Sequence, residues 1–93
     1  MRIAKVLGSV TLSRQHASLA GARLRLAIPL TLAELQSNAN GAGESLVLWD
    51  DLGAGENSLI ALSEGGEAAQ PFRPELKPID AYNAAILDNV HLP

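Results

Sequence analysis

Residues 51–70 read DLGAGENSLIALSEGGEAAQ: a Gly-Ala-Gly corner, an apolar run about one strand long, and a second pair of glycines. Glycines this closely spaced belong either to a phosphate cradle or to the bends of a small sheet. The surrounding residues decide for the sheet. A dinucleotide fingerprint needs a third glycine and a helix whose N-terminal amides face the pyrophosphate. Here Gly53 and Gly55 have no third partner, and the next segment, NSLIALS at 57–63, reads as a strand. No Gly-Lys-Ser/Thr is present, which excludes a P-loop. NGAG at 40–43 fails the same test. Gly53, Ala54 and Gly55 therefore predict a backbone bend or a close approach of another chain. Gly65 and Gly66, between two apolar runs, predict a tight hairpin turn.

Working outward, the chain reads as a succession of short strands. From Arg2 to Leu12 it alternates, with Ala4, Val6, Val10 and Leu12 predicted on one face and a bulge or bend at Gly8. After the connector RQHASLAG comes ARLRLAIPL, which predicts Leu24, Leu26 and Ile28 inward with Arg23 and Arg25 outward. Pro29 limits that strand's end. TLAELQSNANGAG at 31–43 predicts a loop with one helical turn at its start. ESLVLWD and NSLIALS are the third and fourth strands, and AAQ at 68–70 is a candidate short one. PFRPELKP, with three prolines, predicts an extended link. In IDAYNAAILDNVHLP the period changes: Ile79, Tyr82 and Ile86 fall at helical spacing, with Asp80 or Pro78 at the start. NVHL then predicts a final short strand. The inventory is mainly β, a small five-stranded OB-like β-barrel with one short C-terminal helix, in one domain over 1–93.

Composition narrows the function. Hydrophobic residues make up 47% of the chain but aromatics only 3%, so the apolar content is mostly Ala, Leu, Ile and Val. A narrow barrel cannot bury all of these, and the surplus suits burial between subunits. Net charge is −3 with the seven basic residues dispersed, which argues against a nucleic-acid backbone as partner. There is no cysteine, so disulfides, thiolate metal sites and a Cys nucleophile are excluded. No apolar run approaches the roughly 20 residues of a membrane span, and MRIAKV lacks a secretory core, so a cytoplasmic protein is expected.

Catalytic groups do not assemble. His16 lies near Ser13 without a neighbouring carboxylate, and His91 sits near the end of the chain; two isolated histidines make neither a triad nor a metal site. Asp50 and Asp51 are adjacent, so on a strand they face opposite ways. Glu64 and Glu67 flank a turn and read as solvated. An OB-type binder of single strands would want several stacking aromatics, and only Trp49 lies in a predicted strand.

The order of these pieces resembles the EutN/CcmL family, the pentameric vertex proteins of bacterial microcompartments. The opening MRIAKVLGSV looks like the family's first strand, and SLAGARLRL is similar to its Ser-Leu-x-Gly followed by an alternating strand. DDLGAGENSLIALSEGG resembles the Asp/Gly-Ala-Gly segment and KPIDAYNAAILD the tail. Two departures stand out. After Gly65 the family commonly runs Ser-Ser-Ala-Arg-Gln, whereas this chain has Gly66, Glu67, Ala68, Ala69 and Gln70; the 31–43 loop also differs. The resemblance implies a structural, non-enzymatic protomer with no catalytic, metal or cofactor residues. It implies a homopentamer at the vertices of a polyhedral shell in the cytoplasm, with hexameric shell proteins as partners and neither nucleic acid nor membrane. Gly53, Ala54 and Gly55 are then the candidate subunit-interface or pore-proximal turn. The competing readings are an OB-type module for single-stranded nucleic acid or a protein partner, and a small enzyme with a site between subunits.

Overall fold

The computed structural model describes residues 1–92. Five strands form a closed barrel: β1 (Arg2–Val10), β2 (Leu24–Pro29), β3 (Leu46–Trp49), β4 (Leu59–Glu64) and β5 (Ala81–Leu87). A short helix, α1 (Leu32–Ser37), lies between β2 and β3. The strands are ordered β1-β2-β3-β5-β4, and β4 returns to β1. All pairings are antiparallel except β3 with β5, which run parallel and meet through one residue pair, Trp49 and Tyr82. That short seam closes the barrel.

The interior is lined by Ala4, Val6, Ala27, Leu48, Ala54, Ile60, Leu62 and Ala81. Four of these are alanines, as a narrow barrel requires; the bulk comes from Leu48, Ile60 and Leu62. Each fully buried Leu or Ile contributes about 1.5–3 kcal/mol relative to an exposed one. The predicted irregularity at Gly8 is present: Val6 faces Ala27 but Gly8 faces Leu26, so Leu7 is the extra residue. The bulge switches the faces of β1. Ala4 and Val6 point inward, but beyond Leu7 the inward position falls to Ser9, opposite Arg25, and Val10 and Leu12 do not continue the core face.

β2 is turned the other way from its predicted orientation. Ala27 pairs with buried Val6 and Arg25 with buried Leu48, so Arg25 and Ala27 face the interior. Leu24, Leu26 and Ile28 face outward. Leu24 and Ile28 are nonetheless buried, because other segments cover the outside of the barrel. Over Ile28 this is the 41–43 loop, where a Cβ on Gly41 would stand 3.1 Å from Ile28 Cδ1.

The short helix is α1, not a C-terminal one. Thr31 caps it in a capping box with Glu34, and Asn38 ends it in a left-handed conformation. The segment predicted as that C-terminal helix is β5, because its Ala81 and Asn83 pack inward against β4 while Tyr82 joins β3. Tertiary pairing overrides a weak helical spacing of three residues. Gly65 and Gly66 do not make a two-residue hairpin between β4 and β5. Gly65, at φ +65°, turns the chain out of β4 into a 3-10 segment, Gly65–Phe72, and this includes the predicted AAQ strand. NVHL is not a strand.

Candidate functional site

β3 leaves the barrel at Asp50, and the Gly-Ala-Gly corner is built around that side chain. The carboxylate is fully buried. Its Oδ1 accepts from the Leu52 amide at 3.0 Å and from Asn83 Nδ2 at 2.9 Å. Its Oδ2 accepts from the Ala54 amide at 2.8 Å and from Arg25 Nε at 3.2 Å. One residue thus ties the corner to β2 and β5. Burial pushes the Asp50 carboxyl toward higher pKa, but the donors on Asn83, Ala54, Leu52 and Arg25 more than offset it, so the group is held below its ordinary value. Asn83 is oriented in turn, since its Oδ1 accepts from the Ala85 amide at 3.1 Å.

The three corner residues do different jobs. Gly53 sits at φ +79°, where a side chain would be strained. Ala54 belongs to the barrel's own core at 1% exposure. Gly55 has no such backbone demand, and a Cβ there would meet only Ser58 Oγ, at 4.0 Å. Among the described residues, no close contact and no positive φ explains glycine at this position. Gly53, Gly55 and Glu56 remain exposed and line a cleft of about 210 Å³ with Arg25, Ser9 and Val6.

Asp50 and Asp51 diverge as predicted. Asp51 is exposed and accepts from Trp49 Nε1 at 2.8 Å. Trp49 lies on the outside of the barrel yet is only 6% exposed. Phe72 packs edge-on against it at 4.7 Å between centroids, Tyr82 stands 5.5 Å beyond Phe72, and Lys77 Nζ lies 5.6 Å from the Trp49 ring. The same ammonium donates to the Ser18 carbonyl at 2.6 Å. All three aromatics of the chain are consumed in one strap that fastens the 72–77 link to the barrel wall. A covered Trp49 offers no face for a base to stack on. Burial, with Asp51 and Asp50 nearby, raises the Tyr82 pKa.

Neither histidine hydrogen-bonds a carboxylate among the described residues. His16 Nδ1 accepts from the Ser18 amide at 3.1 Å and lies 2.6 Å from Ser18 Oγ; its partner is Ser18, not Ser13. His91 is exposed. Glu64 is not simply solvated: it pairs with Arg2, whose Nε donates at 2.8 Å. Among the described residues no group of three or more His, Asp or Glu side chains is placed to hold a metal, and no helix is long and apolar enough to cross a membrane. Sequence reasoning missed the roles of Asp50, Arg25 and Asn83. The available signal was a carboxylate at the end of an apolar strand, followed within five residues by two glycines.

A sequence profile described as "Ethanolamine utilisation protein EutN/carboxysome" matches residues 1–88. The chain is 34% identical over 92 residues to the carboxysome shell vertex protein CcmL of Nostoc sp., covering 99% of this chain and 87% of that one. It is 31% identical over 90 residues to the microcompartment shell vertex protein EutN of Salmonella typhimurium, covering 97% and 86%. Among solved structures, the GrpN pentameric microcompartment shell protein of Rhodospirillum rubrum superposes with a TM-score of 0.82 at 29% identity, covering all of both chains. The Nostoc CcmL structure gives 0.84 at 33% identity, covering 98% and 93%.

Proposed function

The chain belongs to the EutN/CcmL family, and from that premise we propose that it is a structural shell protein whose five copies close into a ring at the vertices of a bacterial microcompartment. A flat layer of hexagonal tiles has no curvature, and pentagonal tiles at the corners let it close. The job is assembly, not catalysis, so hexameric shell proteins are the outer partners and the interior of the cell is the location. The observation that carries this reading is the end-to-end likeness to a pentameric shell protein, which covers all of both chains.

A five-fold ring needs a heterologous contact that repeats with a fixed rotation. Gly53 and Gly55 are the residues we assign to it, as a bare stretch of backbone against which an adjacent protomer packs. The exposed apolar side chains Leu52, Val47, Leu12 and Ile86 fit the same role, since a protomer this small has more apolar surface than its core absorbs. Native mass spectrometry of the purified chain tests the proposal. A species of about five protomer masses is expected; a chain that stays monomeric at high concentration overturns it.

A further inference from the structure

The corner from Asp51 to Glu56 is exposed at every residue except Ala54. A loop so open has little packing of its own to select one shape. Two of its amides, those of Leu52 and Ala54, donate to opposite oxygens of the Asp50 carboxylate. That carboxylate is gripped from both flanks, by Arg25 of β2 and Asn83 of β5. Every buried side-chain polar atom among the described residues has a partner, so the network is complete. Complete polar networks rigidify, and half-satisfied ones do not. The barrel wall therefore holds the first half of the corner through one side chain, while the second half is tied by the Ser58 amide donating to the Gly55 carbonyl at 3.2 Å and the Asn57 amide donating to the Val6 carbonyl at 2.8 Å.

We propose that Asp50 is a positioning residue for assembly: it holds Gly53 and Gly55, within the protomer, in the shape against which an adjacent copy of this chain docks. This rests on the reading of the corner as a subunit contact. A corner shaped in advance loses less freedom on docking than one that must be ordered by its neighbour.

The substitution Asp50→Asn keeps the size of the side chain but turns one acceptor oxygen into a donor. That donor then faces either the Ala54 amide and Arg25, or the Leu52 amide and Asn83, all of them donors themselves. The expected result is a folded barrel, judged by a cooperative melt, whose ring is depleted about ten- to a hundredfold at fixed concentration, as loss of hydrogen bonds to a charged group implies. The double variant Asp50→Asn with Asn83→Asp pairs the two side chains again, because the new carboxylate accepts from the new amide, but that amide then still faces the Leu52 N–H, so the ring should stay depleted. A ring that survives Asp50→Asn undiminished, or a double variant with the ring mass of the unsubstituted chain, overturns the positioning role.

Should Asp50→Asn not fold, hydrogen exchange on the unsubstituted chain decides. In protomers separated by dilution, the Leu52 and Ala54 amides should exchange at least about tenfold slower than in an unstructured peptide. Exchange at the unprotected rate in separated protomers, with slowing only in the ring, means the neighbour shapes the corner and refutes the proposal. An unsubstituted chain that never forms a ring defeats the proposed function as well; a ring indifferent to Asp50 defeats only this inference.

Discussion

Gly55→Val separates a contact between subunits from a contact within one. Inside the protomer the new side chain has room, because an added Cβ meets only Ser58 Oγ at 4.0 Å and the backbone is not left-handed there. Gly55→Ala should leave the isolated protomer unchanged or raise its stability by about 0.4–1 kcal/mol, through a less flexible unfolded chain. At a packed contact the same carbons have no space. Overpacking costs about 1–3 kcal/mol at each contact, and a pentameric ring such as the related GrpN repeats the contact five times. The total of about 5–15 kcal/mol is enough to abolish assembly at micromolar protein. Thermal melting followed by circular dichroism should show a folded Gly55→Val chain, while sedimentation or native mass spectrometry should show it dispersed or irregularly associated. Gly55→Ala should lie between. A valine variant with the mass of the unsubstituted ring would show that Gly55 lies outside the subunit contact. Gly53 cannot serve for this test, since its φ of +79° makes any substitution strain the protomer itself.

Leu48→Ala removes one of the largest fully buried side chains and should cost about 2–5 kcal/mol, read as a lower urea midpoint with an unchanged slope. Asp50 is held below its ordinary pKa, as are Glu34 and Glu64. The unfolded chain then binds protons more readily than the folded one in acid. The stability these groups contribute is fully present above the ordinary carboxylate range and is lost as pH falls through and below it, so the urea midpoint should drop from about pH 5 downward. Replacing Asp50 should flatten that profile more than replacing Glu34, whose shift comes from an exposed cap. The Tyr82 pKa is raised, so its phenolate should appear above about pH 10 in ultraviolet titration, later than free tyrosine. The associated stability is present below the ordinary tyrosine value and lost as pH rises beyond it. Phenolate formation at the free-tyrosine value would contradict the burial of that ring.

Much of the strand inventory is visible in the chain itself. The apolar runs before and after the Gly-Ala-Gly corner are β3 and β4, and the glycine interrupting the first strand marks the bulge. The lack of a third glycine and of a following helix argues against a phosphate cradle, and two histidines without an orienting carboxylate argue against a triad. Both readings depend only on residue types and local spacing. Asp50 and Asp51 part as expected of neighbours on a strand, although β3 itself ends at Trp49.

Which face of β2 is inside depends on its strand partners, because alternation is unchanged when the two faces are exchanged. Arg25 turns inward since Asp50 needs its charge there, and Leu24 and Ile28 can turn outward since other segments cover them. The tertiary structure also made Ala81–Leu87 a strand, through hydrogen bonds to β4 that no local helical spacing can anticipate. Asp50 is the sharpest case. Its side-chain partners lie 25 and 33 residues away, so the chain announces a carboxylate but not the two flanks that hold it.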